Sequence, residues 1–150
     1  MIRPRYETRA DYEKMIQLGS RLARRLKCIP HFAPYEFQPE IDCALFRGSM
    51  HVGWIEFKAR SYSYAELDAM KPRNGYMLAI QKWDSAFNCL QSGLPFGLVV
   101  QLSDGLYMAT FRGKLPAVPS DKGGRTDRGD PKDIETCVFL PMQLFQKIAA

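Results

Sequence analysis

At 150 residues the chain is long enough for one domain with a real hydrophobic core. Its 46% hydrophobic and 25% charged residues suit a soluble globular protein rather than a disordered or membrane chain. The net charge of +5 and the pI near 9.1 are compatible with a polyanionic partner without requiring one.

No apolar run approaches the length of a membrane span, and the N-terminal "MIRPRYETRADYEK" is charged where an export signal would be apolar. The sequence therefore points to a cytoplasmic protein with no membrane partner. Cys28, Cys43, Cys89 and Cys137 form no CxxC pair, and His31 and His51 are the only histidines. Buried thiols are expected, not a zinc knuckle or disulfides. Basic residues concentrate in "SRLARRLK" (20–27) and "DKGGRTDRGD" (121–130).

In chain order, Thr8 to about Leu26 has helical periodicity, with Tyr12, Met15, Ile16, Leu22, Ala23 and Leu26 at spacings of three and four. Pro30 and Pro34 end it. "IDCALF" (41–46) and "VGWIEFKA" (52–59) alternate like strands around the turn segment "RGSMH". Ser63 and Glu66 form a capping-box pattern that predicts a short helix over 64–70. "YMLAI" (76–80) reads as a short strand or the lead-in to a helix, and "QKWDSAFNCLQSG" as a helix stopped by Gly93. "FGLVVQL" (96–102) and "LYMATFRG" (106–113) predict a second hairpin. A Gly-, Pro- and charge-rich loop covers 114–134, "ETCVFLP" (135–141) reads as a final edge strand, and "MQLFQKI" as a closing helix. The expected fold is α/β (α+β), a single domain with helices flanking a mixed central sheet that contains an antiparallel hairpin.

The hairpin register follows from its hydrophobic pattern. A three- or five-residue loop centred on Ser49 pairs Asp42 with Glu56, Ala44 with Trp54 and Phe46 with Val52. The other face then pairs Ile41 with Phe57, Cys43 with Ile55 and Leu45 with Gly53, and is wholly apolar apart from a thiol. A one-residue slip would drive Asp42 into that apolar face. Two carboxylates placed opposite each other repel. Lys58, about 6.6 Å from Glu56 at the Cα level, helps diagonally, and a divalent cation does so better. The alternative is a solvated strand end of mixed charge.

Asp42 followed by "EFK" at 56–58 resembles the PD-(D/E)XK nuclease superfamily, although Pro39 is followed by Glu40 and the matching acid is Asp42. The segments "EIDCALFRGSMHVGWIEFKAR", "YMLAIQKWDSAFNCLQSGLPFGLVVQLSDGLYMATF" and "GGRTDRGDPKDIETCVFLPM" are similar to small phage-encoded proteins. Within the superfamily the compact size and the leading helix resemble Holliday-junction resolvases. The resemblance implies a restriction-endonuclease-like core. It also implies Mg²⁺ or Mn²⁺ held by Asp42, Glu56 and the Phe57 carbonyl, with Lys58 at the reacting phosphate. It further implies an acid from the first helix, with Glu13 the candidate and Glu36 and Glu40 its competitors. A polar residue from the later helix, Gln81 or Lys82, is implied as well. DNA would be the substrate, Arg60, Lys82, Arg125 and Arg128 would contact its backbone, and a homodimer would cut symmetrically.

Trp54 and Trp83 read as core aromatics, and neither histidine has a triad partner. No GxSxG or GxxxxGK[ST] motif is present, so serine-hydrolase and P-loop readings have no support. Two further readings stand beside the nuclease. One is a nuclease-fold module that binds DNA or a partner without cutting. The other is a phage accessory or virion protein whose acids are only a solvated strand end.

Overall fold

A helix packed on one face of a mixed six-stranded sheet, with two further helices and a smaller sheet on the other, makes up the computed structural model. It describes residues 8–124 and 134–149. Helix α1 (Arg9–Arg25) opens with Thr8 and Asp11 satisfying each other's backbone N–H groups. Its buried stripe of Met15, Gly19, Leu22 and Ala23 faces the sheet. A Cβ at Gly19 would stand 2.5 Å from the Phe32 ring, so glycine is what lets the helix come this close.

The six-stranded sheet runs in the order β1 (Ile29–Phe32), β2 (Cys43–Arg47), β3 (Met50–Ala59), β5 (Phe96–Leu102), β6 (Gly105–Phe111) and β9 (Gln146–Ile148). Only β3 and β5 pair in parallel. Their connection carries α2 (Tyr64–Ala69), β4 (Tyr76–Ala79) and α3 (Ile80–Gln91), as a parallel crossover requires. The α2 helix has the expected Ser63–Glu66 capping box. A three-stranded sheet of β4, β8 (Ile134–Leu140) and β7 (Ser120–Gly124) completes the described fold.

Side chains alternate across the main sheet and feed two cores. Cys43, Leu45, Ile55 and Val99 pack under α1. Leu98, Val100, Ala109 and Phe111 pack with Ala86 and Leu90 of α3 and with Leu78, Val138 and Leu140 of the small sheet. The mixed sheet flanked by helices is the architecture expected from the sequence.

Several local expectations need correction. Strand β1 forms where only a helix terminator was read; Pro30 is tolerated because β1 is an edge strand. The hairpin turn is a two-residue Gly48–Ser49 turn closed by the Arg47–Met50 pair, with Gly48 at φ +62°. A bulge follows, so Phe46 pairs with His51 and not Val52. "ETCVFLP" is not an edge: β8 lies between β4 and β7, and Cys137–Leu140 are buried consecutively, as in a strand covered on both faces. The segment 114–134 contains β7, which pairs with β8. The closing helix is replaced by a 3-10 turn (Met142–Leu144) and β9, which pairs with β6. "YMLAI" resolves into both of its readings, with β4 ending at Ala79 and α3 starting at Ile80.

Candidate functional site

Asp42 immediately precedes β2, and the Cys43–Ile55 register sets it across from Glu56. Each carboxylate takes a backbone N–H from the other strand. Glu56 Oε1 accepts from Asp42 N–H at 3.1 Å, and Asp42 Oδ2 accepts from Phe57 N–H at 2.9 Å. These bonds fix the two acids on one face of the hairpin and explain how the pair tolerates burial.

Two ammonium groups converge on the other Glu56 oxygen. Lys58 Nζ lies 3.3 Å from Oε2, and Lys82 Nζ, from the first turn of α3, lies 3.1 Å from it. Lys82 also donates to the Glu40 carbonyl at 2.7 Å. Ser85 Oγ lies 2.8 Å from Glu40 Oε1 and 3.0 Å from the Gln81 carbonyl; its single proton is better placed on the carboxylate. The segment before β2 is thereby tied to α3.

Asp42 is 7% exposed and Glu56 1%. Burial, reinforced by the Glu56 charge, pushes the Asp42 carboxyl up to about 7; the Phe57 N–H, Lys58 and Lys82 only partly offset this. Tyr76 stands nearby. Burial drives its hydroxyl up, Arg60 opposes the shift and Glu56 adds to it. The Arg60 guanidinium lies 5.3 Å from the Tyr76 ring centroid.

The expected residues divide clearly. Asp42, Glu56 and Lys58 come together. Lys82, expected to meet a DNA backbone, is here bound to Glu56 and Glu40. Gln81 is exposed beside it. Arg60 is exposed beyond the end of β3. Glu13 is exposed, and among the described residues no hydrogen bond or ion pair joins it to the cluster. The α1 residues beside the C-terminal end of β3 are Asp11, Lys14, Met15 and Leu18, which line a cleft of about 360 Å³ with Phe57, Lys58, Ala59 and Gln101. Glu36 is on the surface, 3.9 Å from Arg9. Arg125 and Arg128 lie outside the described residues. Sequence reasoning missed the Glu40–Ser85 link and the Lys82–Glu56 pair. The Pro39–Glu40 step before the Asp42 strand was the one available signal for the former.

Among the described residues no three or more His, Cys, Asp or Glu side chains form a metal-holding group. The oxygen-bearing groups that the cluster does bring together are the Asp42 and Glu56 carboxylates. A strand residue's N–H and C=O leave on the same side, so the Phe57 carbonyl projects toward the edge where Asp42 accepts its N–H. All-oxygen donors with few protein ligands suit a hard cation that keeps waters and takes phosphate oxygens. Carboxylate oxygens without histidine or cysteine would suit a hard divalent cation better than zinc, whose protein sites are built mainly on nitrogen and sulfur.

A family model described as "Phage putative PDDEXK endonuclease" matches residues 1–148. The chain belongs to this phage PDDEXK endonuclease family. Neither a curated protein nor a solved structure matches it. Within the described residues of this family member, no helix is long and apolar enough to cross a membrane.

Proposed function

We propose that the protein is a metal-dependent DNA endonuclease whose centre is Asp42, Glu56 and Lys58. The observation that carries this reading is the facing acid pair with a lysine two residues along the same strand. Asp42, Glu56 and the Phe57 carbonyl would hold Mg²⁺ or Mn²⁺. Such an ion, when bound, neutralises phosphate charge and acidifies a water. Asp42 must surrender its proton to become a ligand, which links binding to pH near neutrality. Lys58, released from Glu56, donates to a phosphate oxygen or orients the attacking water. Lys82 keeps Glu56 aligned through its second tie to the Glu40 carbonyl. Glu13 and Gln81 are proposed as outer groups, and Arg60, Arg125 and Arg128 as backbone contacts. Branched, junction-like DNA cut by a homodimer is the proposed substrate and assembly.

One observation favours the second reading, a nuclease-fold module that binds without cutting: two ammonium groups already neutralise Glu56. The test incubates the protein with linear duplex, single-stranded and four-way-junction DNA in Mg²⁺, Mn²⁺ or EDTA. The nuclease reading expects cleavage with metal, none in EDTA, and a loss of about 100-fold or more in Lys58→Ala with binding in EDTA retained. Binding with no cleavage of any substrate in either metal supports the binding module instead.

A further inference from the structure

Two adjoining clefts run along helix α1. One, of about 420 Å³, has Lys14, Gln17, Arg21, Gln101 and Ser103 in its lining. The other, of about 360 Å³, reaches Phe57 and Lys58 near the end of β3. Lys14, Leu18 and Gln101 line both, so the two make one groove between α1 and the ends of β3 and β5. Lys14, Gln17 and Arg21 recur at steps of three and four and so share one face of the helix. Gln101 is the one exposed residue of β5, a strand that lies between β3 and β6 and is otherwise buried.

The groove is basic, and its donors are not spent within the protein. Among the described residues no side-chain hydrogen bond or ion pair engages Lys14, Gln17, Arg21 or Gln101. Lys147 adds another ammonium: its Nζ lies 3.3 Å from where a Cβ on Gly105 of the groove wall would stand. The nearby acids are occupied elsewhere. Asp11 is held by the Thr8 cap, with Lys14 the smallest influence on it. Asp104, in the β5–β6 turn, accepts from the Tyr64 N–H and the Tyr107 hydroxyl. A solvated helix face would account for Lys14 and Arg21 alone. It does not account for an uncovered amide on a central strand in the same groove, where apolar residues are the rule.

The groove lies on the α1 side of the sheet and the acid pair on the other. Lys58 joins them: it lines the groove while its ammonium lies 3.3 Å from Glu56 Oε2. We propose that the groove holds the sugar–phosphate backbone of the DNA substrate, on a path from Lys58 past Lys14 to Arg21. The inference rests on the proposed nuclease reading for the identity of the ligand, and adds the path it takes. Ammonium, guanidinium and amide N–H groups are the donors that take phosphate oxygens. From Asp11 to Arg21 the helix covers about 15 Å, the span of about four or five phosphates at roughly 3.4 Å each along one strand. An acidic peptide would meet the same cations, but nothing about it would call for a groove that ends at Lys58 and the acid pair. Contacts of this kind read no base. The substrate class is therefore DNA of any sequence whose backbone continues for about four or five nucleotides to one side of the scissile bond.

The test measures fluorescence anisotropy of a labelled duplex in EDTA, where no cleavage occurs, across a salt series. Lys14→Gln and Arg21→Gln should each weaken binding and lower the slope of log affinity against log salt by about 1, and the double variant by about 2. Arg24→Gln is the control. It removes the same charge from the same helix, and Arg24 is exposed and outside the groove lining, so the wild-type slope should remain. All three residues are exposed, so the variants should fold. Slopes of Lys14→Gln and Arg21→Gln that match Arg24→Gln overturn the path, as does a wild type that binds no duplex at low salt. A wild type that binds poly-glutamate as tightly as the duplex overturns it in favour of an acidic protein segment. Cleavage in Mg²⁺ or Mn²⁺ is scored separately. A protein that cuts nothing, yet shows the lowered slopes, keeps the groove and loses the enzyme. One that cuts, with Lys14→Gln and Arg21→Gln behaving like the control, keeps the enzyme and loses the groove.

Discussion

Asp42→Asn is expected to abolish cleavage and to make the protein more stable at pH 8. The first effect, a loss of at least about 1,000-fold, follows from the proposed nuclease reading, in which Asp42 would be a metal ligand at a site that works by charge neutralisation. The second follows from the Asp42 carboxyl sitting at about 7 in the fold against an ordinary value of 3.8. Below the ordinary value both folded and unfolded chains hold the proton, and the fold carries no penalty. As pH rises toward 7 the unfolded chain ionises first, so the folded chain binds more protons and its stability falls. Above 7 the full penalty remains. The amide introduced by Asp42→Asn keeps an oxygen for the Phe57 N–H and presents an N–H donor to Glu56, without a charge. The stability advantage of Asp42→Asn should therefore be small near pH 4, grow through the neutral range and level off above it. At pH 8 it should be on the order of a few kcal/mol. Thermal melts in EDTA from pH 4 to 8 measure this; a wild type whose melting temperature rises across that range would contradict the assigned environment of Asp42.

Lys82→Met is expected to act in the opposite direction. Lys82 is 16% exposed at the side chain and is shared between Glu56 and the Glu40 carbonyl. Its removal leaves a buried carboxylate with one ammonium partner instead of two. Stripping one member from a buried charged cluster costs on the order of 3 kcal/mol, or a fall of roughly 10 °C in melting temperature. A divalent cation at the acid pair replaces the lost charge. Mg²⁺ should then raise the melting temperature of Lys82→Met more than that of the wild type. An equal Mg²⁺ response in the two proteins would show that Lys82 and the cation do not serve the same carboxylates.

The acid pair was readable from the hairpin alone because its register has one hydrophobic solution. Only that register keeps Asp42 off the face that Cys43, Leu45 and Ile55 bury under α1. The rest of the site depends on information the pattern lacks. Lys82 reaches Glu56 across a long sequence separation through the packing of α3, which no local spacing encodes. The pattern also does not say which face of the sheet α1 covers: it lies over Cys43, Leu45 and Ile55, opposite the acid pair, and Glu13 is exposed. The bulge at Val52 left no mark in the alternation, since either Val52 or His51 could sit opposite Phe46. Strand β1 was hidden by Pro30, and β9 by the brevity of a segment whose strand identity comes from pairing with β6.

The most direct measurement is an anomalous-difference map from wild-type crystals soaked in Mn²⁺. A peak bounded by Asp42, Glu56 and the Phe57 carbonyl, with the Lys58 ammonium moved off Glu56, is the result expected. Manganese bound only elsewhere, with both lysines still on Glu56, would mean that the acid pair is a buried ion cluster and not a nuclease centre.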